Sequence, residues 1–184
     1  YAAYVFDAYG TLFDVHSAVR RHAEAVGPDG QLLSEIWRAK QLEYSWTRAL
    51  MGQWRDFWAL TEEALDYSFE RIPSADKSLK PQLLAAYFML DSAVKNAALD
   101  TVIDDVFSVD ELQTFKTDPA VYDMVTTAYR LYPGAVSFQS SNRWDVAGAT
   151  KFGFRTVWIN RAKMPDEYRD LSPSLILPDL NGVD

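Results

Sequence analysis

The chain contains no cysteine, which excludes a disulfide framework and any thiolate metal site and is compatible with the cytosol, the location expected for it. Histidine is almost as scarce: His16 and His22 are the only two, and they show neither a metal-ligand spacing nor a nucleophile elbow nearby. No apolar run approaches the length of a membrane helix, and no basic segment followed by an apolar one opens the sequence, so no membrane partner is expected. Positive charge is in short supply, with 18 basic against 26 acidic side chains and a net charge of −8. Such a surface does not attract phosphates, which excludes a nucleic-acid partner and requires local cations to capture any anionic substrate. A glycine-rich phosphate loop and internal repeats are also absent.

What is present fits a globular chain of 184 residues, 48% of them hydrophobic, enough for one domain or a domain carrying an insertion. The stretch Tyr4-Val5-Phe6-Asp7-Ala8-Tyr9-Gly10-Thr11 organises the rest. Ala3 to Phe6 read as a buried strand of a parallel sheet, and in open α/β sheets ligands bind beyond the carboxyl ends of the strands, where Asp7 falls. Gly10 lets the backbone turn back tightly, and the Thr11 hydroxyl can return to the Asp7 carboxylate and orient it as a nucleophile. Taken alone, Asp7 reads more readily as a strand-ending turn residue.

From Phe13 to Leu90 helix formers dominate and no strand pattern persists, which predicts a helical cap inserted after the first strand. Helices are expected over 14–26, over 30–51 with Asp29 as N-cap and Gly52 as stop, over 61–72, and over 81–90 with Pro81 in the first turn. Leu33, Ile36, Trp37, Lys40 and Tyr44 recur at helical spacing, and the nearby aromatics read mainly as helix-packing core. From Asp91 the pattern returns to alternation: helix over 92–99, strand over 106–109, Asp118-Pro119 opening a helix to Leu131, and strand over 135–139. A helix over 144–151, a strand over 156–159 and an edge strand over 175–177 complete it. The fold expected is α/β, a Rossmann-like parallel sheet core (1–12 and 91–184) with an inserted helical-bundle cap (13–90).

Phe6-Asp7-Ala8-Tyr9-Gly10-Thr11, Trp37-Arg38, Phe115-Lys116 and Ser140-Ser141-Asn142-Arg143-Trp144-Asp145 occur in this order over nearly the whole chain. Together they resemble the motifs of the haloacid dehalogenase superfamily and, within it, the L-2-haloacid dehalogenases. Lys116, on a loop before Asp118-Pro119, can favour the charged form of Asp7. Ser140, Asn142 and Asp145, between a strand and a helix, can bond ligands and position water, with Trp144 as an apolar wall; the same residues would also make a plain capping loop. The resemblance implies that Arg38 polarises and receives the departing halide, that Leu42 and Phe57 line the pocket, that Tyr122 lies near the site, and that the long helix contributes to a homodimer.

The catalytic set is thus Asp7, Thr11, Lys116, Ser140, Asn142 and Asp145, and the substrate and halide set Tyr9, Arg38, Leu42, Phe57, Tyr122 and Trp144. Phosphatases of this superfamily carry a second Asp two residues after the nucleophile to protonate the leaving oxygen. Tyr9 stands there, which suits a halide that leaves without a proton. With Asn142 and a lone Asp145 beside Lys116, neither a metal nor another cofactor is expected. The reading is hydrolysis of a short 2-haloacid through an ester on Asp7, and the resemblance implies the L-2-haloacid as substrate and the D-2-hydroxy acid as product. Alternatives are a phosphatase of the same fold and an inactive binding relative. At Leu90 and Asp91 one helix runs directly into the tail of another, where the resembling family carries a helix, a strand and a Ser-Asn motif. About one βαβ unit, roughly thirty residues, is missing there. With Tyr1 in place of Met, this reads as a trimmed chain joined from parts of a longer one, and a true loss of the segment is the alternative.

Overall fold

In the computed structural model, described for residues 1–91 and 99–183, the short β-prone runs pair into one parallel four-stranded sheet. Its strands are β1 (Ala3–Phe6), β2 (Val136–Ser140), β3 (Arg155–Ile159) and β4 (Leu175–Leu177), in that spatial order. Val5 pairs with Phe138, Phe138 with Thr156, and Val157 with Leu175. The chain divides into two compact units, 1–14 with 114–184, and 15–113. The boundary expected at 90/91 thus lies inside the second unit, because the helix there runs unbroken through Leu90 to Asp91 and residues 99–113 group with the helices.

The helical unit holds α1 (Ser17–Arg21), α2 (Ala23–Val26), α3 (Gly30–Met51), α4 (Phe57–Arg71) and α5 (Lys80–Asp91). The single helix expected over 14–26 is broken at His22, whose φ of −113° and ψ of 19° leave the helical region. Asp29 sits at the N-cap of α3 but does not cap it; its carboxylate accepts from Ser74 Oγ at 2.6 Å instead. Gly52 ends α3 in the left-handed conformation, as its place in the sequence predicts. The fourth helix starts four residues before Thr61 because Asp56 caps it through the Ala59 N–H at 2.9 Å.

The buried stripe of α3 is rotated from the expected one, comprising Gly30, Leu33, Ser34, Trp37, Gln41 and Ser45, and it faces Leu60, Thr61, Ala64, Leu65, Ser68 and Phe69 of α4. Its polar members are satisfied: Trp37 Nε1 donates to the Thr61 carbonyl at 2.9 Å, and Gln41 Nε2 to Thr61 Oγ1 at 3.0 Å. Each large apolar side chain buried there contributes about 1.5–3 kcal/mol. Of the clustered aromatics only Trp37 is fully core; Tyr44, Trp46, Trp54 and Phe57 are half-buried, and Trp58 is exposed.

In the sheet unit α6 (Pro119–Tyr129) and α7 (Arg143–Phe152) cover one face. Tyr122, Val125, Val136, Phe138, Ala149 and Phe154 form its core, with Ala3 and Val5 packed against them. Alternation along β1 turns Tyr4 and Phe6 the other way, 44% and 39% exposed, so the strand is half-buried rather than buried on both faces. The strand expected over 106–109 does not form. Val106 is exposed in irregular backbone, and Ser108 accepts from the Asp110 N–H at the head of a 3₁₀ turn, Val109–Leu112, whose acidic residues favour a helical start. The helix expected over 92–99 lies outside the described residues, except that Leu99 opens a 3₁₀ turn.

Candidate active site

Asp7 is the first residue beyond β1, and its backbone N–H still donates to the Gln139 carbonyl at 2.9 Å, which keeps it in register at the carboxyl end of the sheet. Gly10, at φ +92°, turns the chain back, with its N–H on the Phe13 carbonyl at 2.7 Å. The turn brings Thr11 Oγ1 to Asp7 Oδ2 at 2.8 Å. The second loop leaves β2: Ser140 Oγ donates to Asp7 Oδ2 at 3.3 Å, and Asn142 Nδ2 donates to the same oxygen at 2.8 Å and to the Tyr9 carbonyl at 2.9 Å. Asn142 occupies the N-cap position of α7 without capping it, because its amide is committed to the site.

The third contribution comes from the loop before α6, anchored by buried Phe115 and by the Asp118 carboxylate on the Ala120 N–H. From there Lys116 Nζ lies 2.8 Å from both Asp7 Oδ1 and Asp145 Oδ2. Tyr122 donates its hydroxyl to Asp145 Oδ1 at 2.9 Å. One ammonium therefore sits between two carboxylates, one at the strand end and one fully buried in the first turn of α7.

Burial by itself lowers the Lys116 pKa, but Asp145 and Asp7 more than reverse this and hold the ammonium above its ordinary value. Burial pushes the Asp145 carboxyl up, with Lys116 opposing, and raises the Tyr122 hydroxyl with help from Asp145. A carboxyl raised in this way is suited to accept a proton from water, while a carboxylate held by a cation and several donors is suited to attack an electrophile. Among the described residues no three His, Cys, Asp or Glu side chains gather as a metal would require.

No family model matches the chain. It is 43% identical over 198 aligned positions, covering 90% of the chain and 86% of the relative, to (S)-2-haloacid dehalogenase 4A of Burkholderia cepacia. The chain belongs to the (S)-2-haloacid dehalogenases. A solved dehalogenase with an intermediate complex superposes with a TM-score of 0.92 at 41% identity, covering 96% of this chain and 92% of the other. The L-2-haloacid dehalogenase of Xanthobacter autotrophicus, solved with chloropropionic acid covalently bound, superposes with a TM-score of 0.82 at 31% identity, covering 97% and 94%. The alignment with the Burkholderia dehalogenase is longer than the 184 residues of this chain, so that relative carries positions with no counterpart here.

Seven of the candidate residues of this dehalogenase-family chain converge: Asp7, Thr11, Lys116, Tyr122, Ser140, Asn142 and Asp145. Tyr9 joins them through its carbonyl, and Trp144 is half-buried beside Asp145 in the first turn of α7. Arg38, Leu42 and Phe57 belong to the helical unit and are half-buried there on α3 and α4. Two contributors escaped the sequence reading. Gly148 admits the Tyr122 hydroxyl to Asp145, and its only local signal was a glycine inside a helical pattern. Arg143 is buried, donating to Asp166 at 2.7 Å and to the Tyr168 and Leu171 carbonyls, and so ties the loop after β3 to the start of α7.

Proposed function

We propose that this chain hydrolyses short L-2-haloalkanoates to D-2-hydroxy acids and halide. One Asp7 carboxylate oxygen attacks C2 from the side opposite the halogen, the carbon–halogen bond breaks, and halide departs with its electron pair, leaving an ester on Asp7. Water then adds to the Asp7 carbonyl carbon and gives up a proton, for which Asp145 is the acceptor. Collapse of that intermediate expels the alkoxide, which takes the proton of the added hydroxyl to leave as the hydroxy acid; the Asp7 carboxylate is restored and Asp145 gives its proton to solvent. Lys116 holds both carboxylates in place, while Thr11, Ser140 and Asn142 keep Asp7 oriented for attack and position the water.

In the helical unit Arg38 supplies the cation for the halide and Leu42 and Phe57 apolar contacts; in the sheet unit Tyr9, Tyr122 and Trp144 contact the substrate. The working form is a homodimer in the cytoplasm. The observation that carries the reading is an Asp7 carboxylate bonded by an ammonium and three side-chain donors, with Tyr9 where a phosphatase needs an acid. Exposure to L-2-chloropropionate should release chloride and D-2-hydroxypropionate, and Asp7→Asn should abolish both. In heavy-oxygen water a single turnover should place the label in the Asp7 carboxyl; label passing directly into the product refutes the covalent route.

A further inference from the structure

Two residues beyond β3, Arg161 reaches back across the carboxyl ends of the strands. Its Nη1 donates to Ser141 Oγ at 2.7 Å and, more weakly, to the Gly10 carbonyl at 3.5 Å, while Nη2 donates to the Thr11 carbonyl at 3.0 Å. These acceptors lie on different loops, one following β1 and the other following β2. A planar guanidinium holds two such acceptors at a fixed separation, which a single ammonium cannot do.

The same two loops orient the nucleophile. Thr11 Oγ1 accepts the Ser141 N–H at 2.7 Å, so its single proton is directed to Asp7 Oδ2 at 2.8 Å. Asn142, next to Ser141, joins the Tyr9 carbonyl to the same carboxylate oxygen. If the loops slide apart, Asp7 loses the aim of two donors at once.

We propose that Arg161 is a positioning residue: it clamps the turn carrying Thr11 to the loop carrying Ser140, Ser141 and Asn142, and thereby sets the angle at which Asp7 meets the substrate. The proposal rests on the reading of Asp7 as nucleophile. Arg161 is bonded to the loops rather than to the carboxylate, and its residue surface is exposed, so solvent reaches the place its side chain occupies.

The test compares wild type, Arg161→Ala and Arg161→Lys in steady-state halide release from L-2-chloropropionate, in melting temperature, and in exchange of the Ser141 amide by NMR. Arg161→Ala should lower kcat by about tenfold to a hundredfold, the scale of a misplaced reacting group, and leave KM within about threefold. Arg161→Lys should recover only part of the loss. Millimolar guanidinium should restore activity to Arg161→Ala more than methylammonium does, and the Ser141 amide should exchange faster in the variant. Unchanged kcat, or a loss that tracks the melting temperature and resists guanidinium, overturns the proposal. If wild type itself releases no halide, the functional reading fails while amide exchange still decides the clamp: an unchanged rate at Ser141 overturns it.

Discussion

Gly148 stands in the middle of α7, three residues after Asp145, where helix propensity alone favours alanine by about 0.5–1 kcal/mol. The surroundings oppose it. A methyl group at this position would lie 2.8 Å from Thr117 Cγ2 and 2.9 Å from Thr117 Cβ, and closer still to the Tyr122 hydroxyl. Tyr122 cannot swing away freely, since it is 2% exposed and its ring is held among Phe138, Phe152 and Phe154 at centroid distances of 5.8, 5.9 and 6.1 Å. Overpacking of this kind costs about 1–3 kcal/mol. Moving the hydroxyl off Asp145 leaves a buried carboxyl short of a donor, a further cost of about 1–3 kcal/mol. Set against the propensity gain, Gly148→Ala should lose about 1–5 kcal/mol, each kcal/mol being about 2–4 °C of melting temperature for a chain of this size. Thermal melts of Gly148→Ala, Tyr122→Phe and the double variant provide the assay. In the Tyr122→Phe background the hydroxyl is gone, so the alanine penalty should shrink to the part owed to Thr117 and the two changes should fail to add. A Gly148→Ala protein as stable as wild type, the result propensity alone foresees, refutes the reasoning.

Lys116→Met should abolish turnover and, by leaving Asp7 and Asp145 uncompensated, lower unfolding stability in urea by about 3–5 kcal/mol. Because the folded-state pKa of Lys116 lies above its ordinary 10.5, its stabilisation is complete below that value and is lost only as pH rises through the higher folded one. Wild-type stability in urea should therefore show no Lys116-linked change from neutral to mildly alkaline pH. His16, bonded to Ser34 Oγ at 2.7 Å, has its pKa lowered by burial and by Arg38, with Glu35 opposing. Its contribution is present above 6.5 and lost as pH falls through the lower folded value, so melting temperature should drop on acidification below 6.5 and do so less in His16→Gln. Equal acid sensitivity of the two proteins refutes the assignment.

Local chemistry made the elements legible. Gly52 and Gly153 stop helices in the left-handed conformation, Asp118-Pro119 opens α6, and Leu175–Leu177 forms a strand within the limits its composition implied. Those signals act over a few residues, and so does the Asp7-to-Thr11 turn that begins the site. The expectation of a strand at Val106 failed for a complementary reason: a valine-containing run becomes a strand only when a ladder receives it.

By itself the order of side chains along the chain made Asp7, Thr11, Lys116, Ser140, Asn142 and Asp145 candidates, because they fall in four ordered motifs and each carries its chemistry in its own side chain. Only the tertiary structure decided that one ammonium would bridge two carboxylates, that a glycine in α7 would make room for a tyrosine hydroxyl, and that Arg161 would span two loops. These are distances between residues far apart in sequence, and they come into being only when parallel pairing brings the carboxyl ends of the strands together.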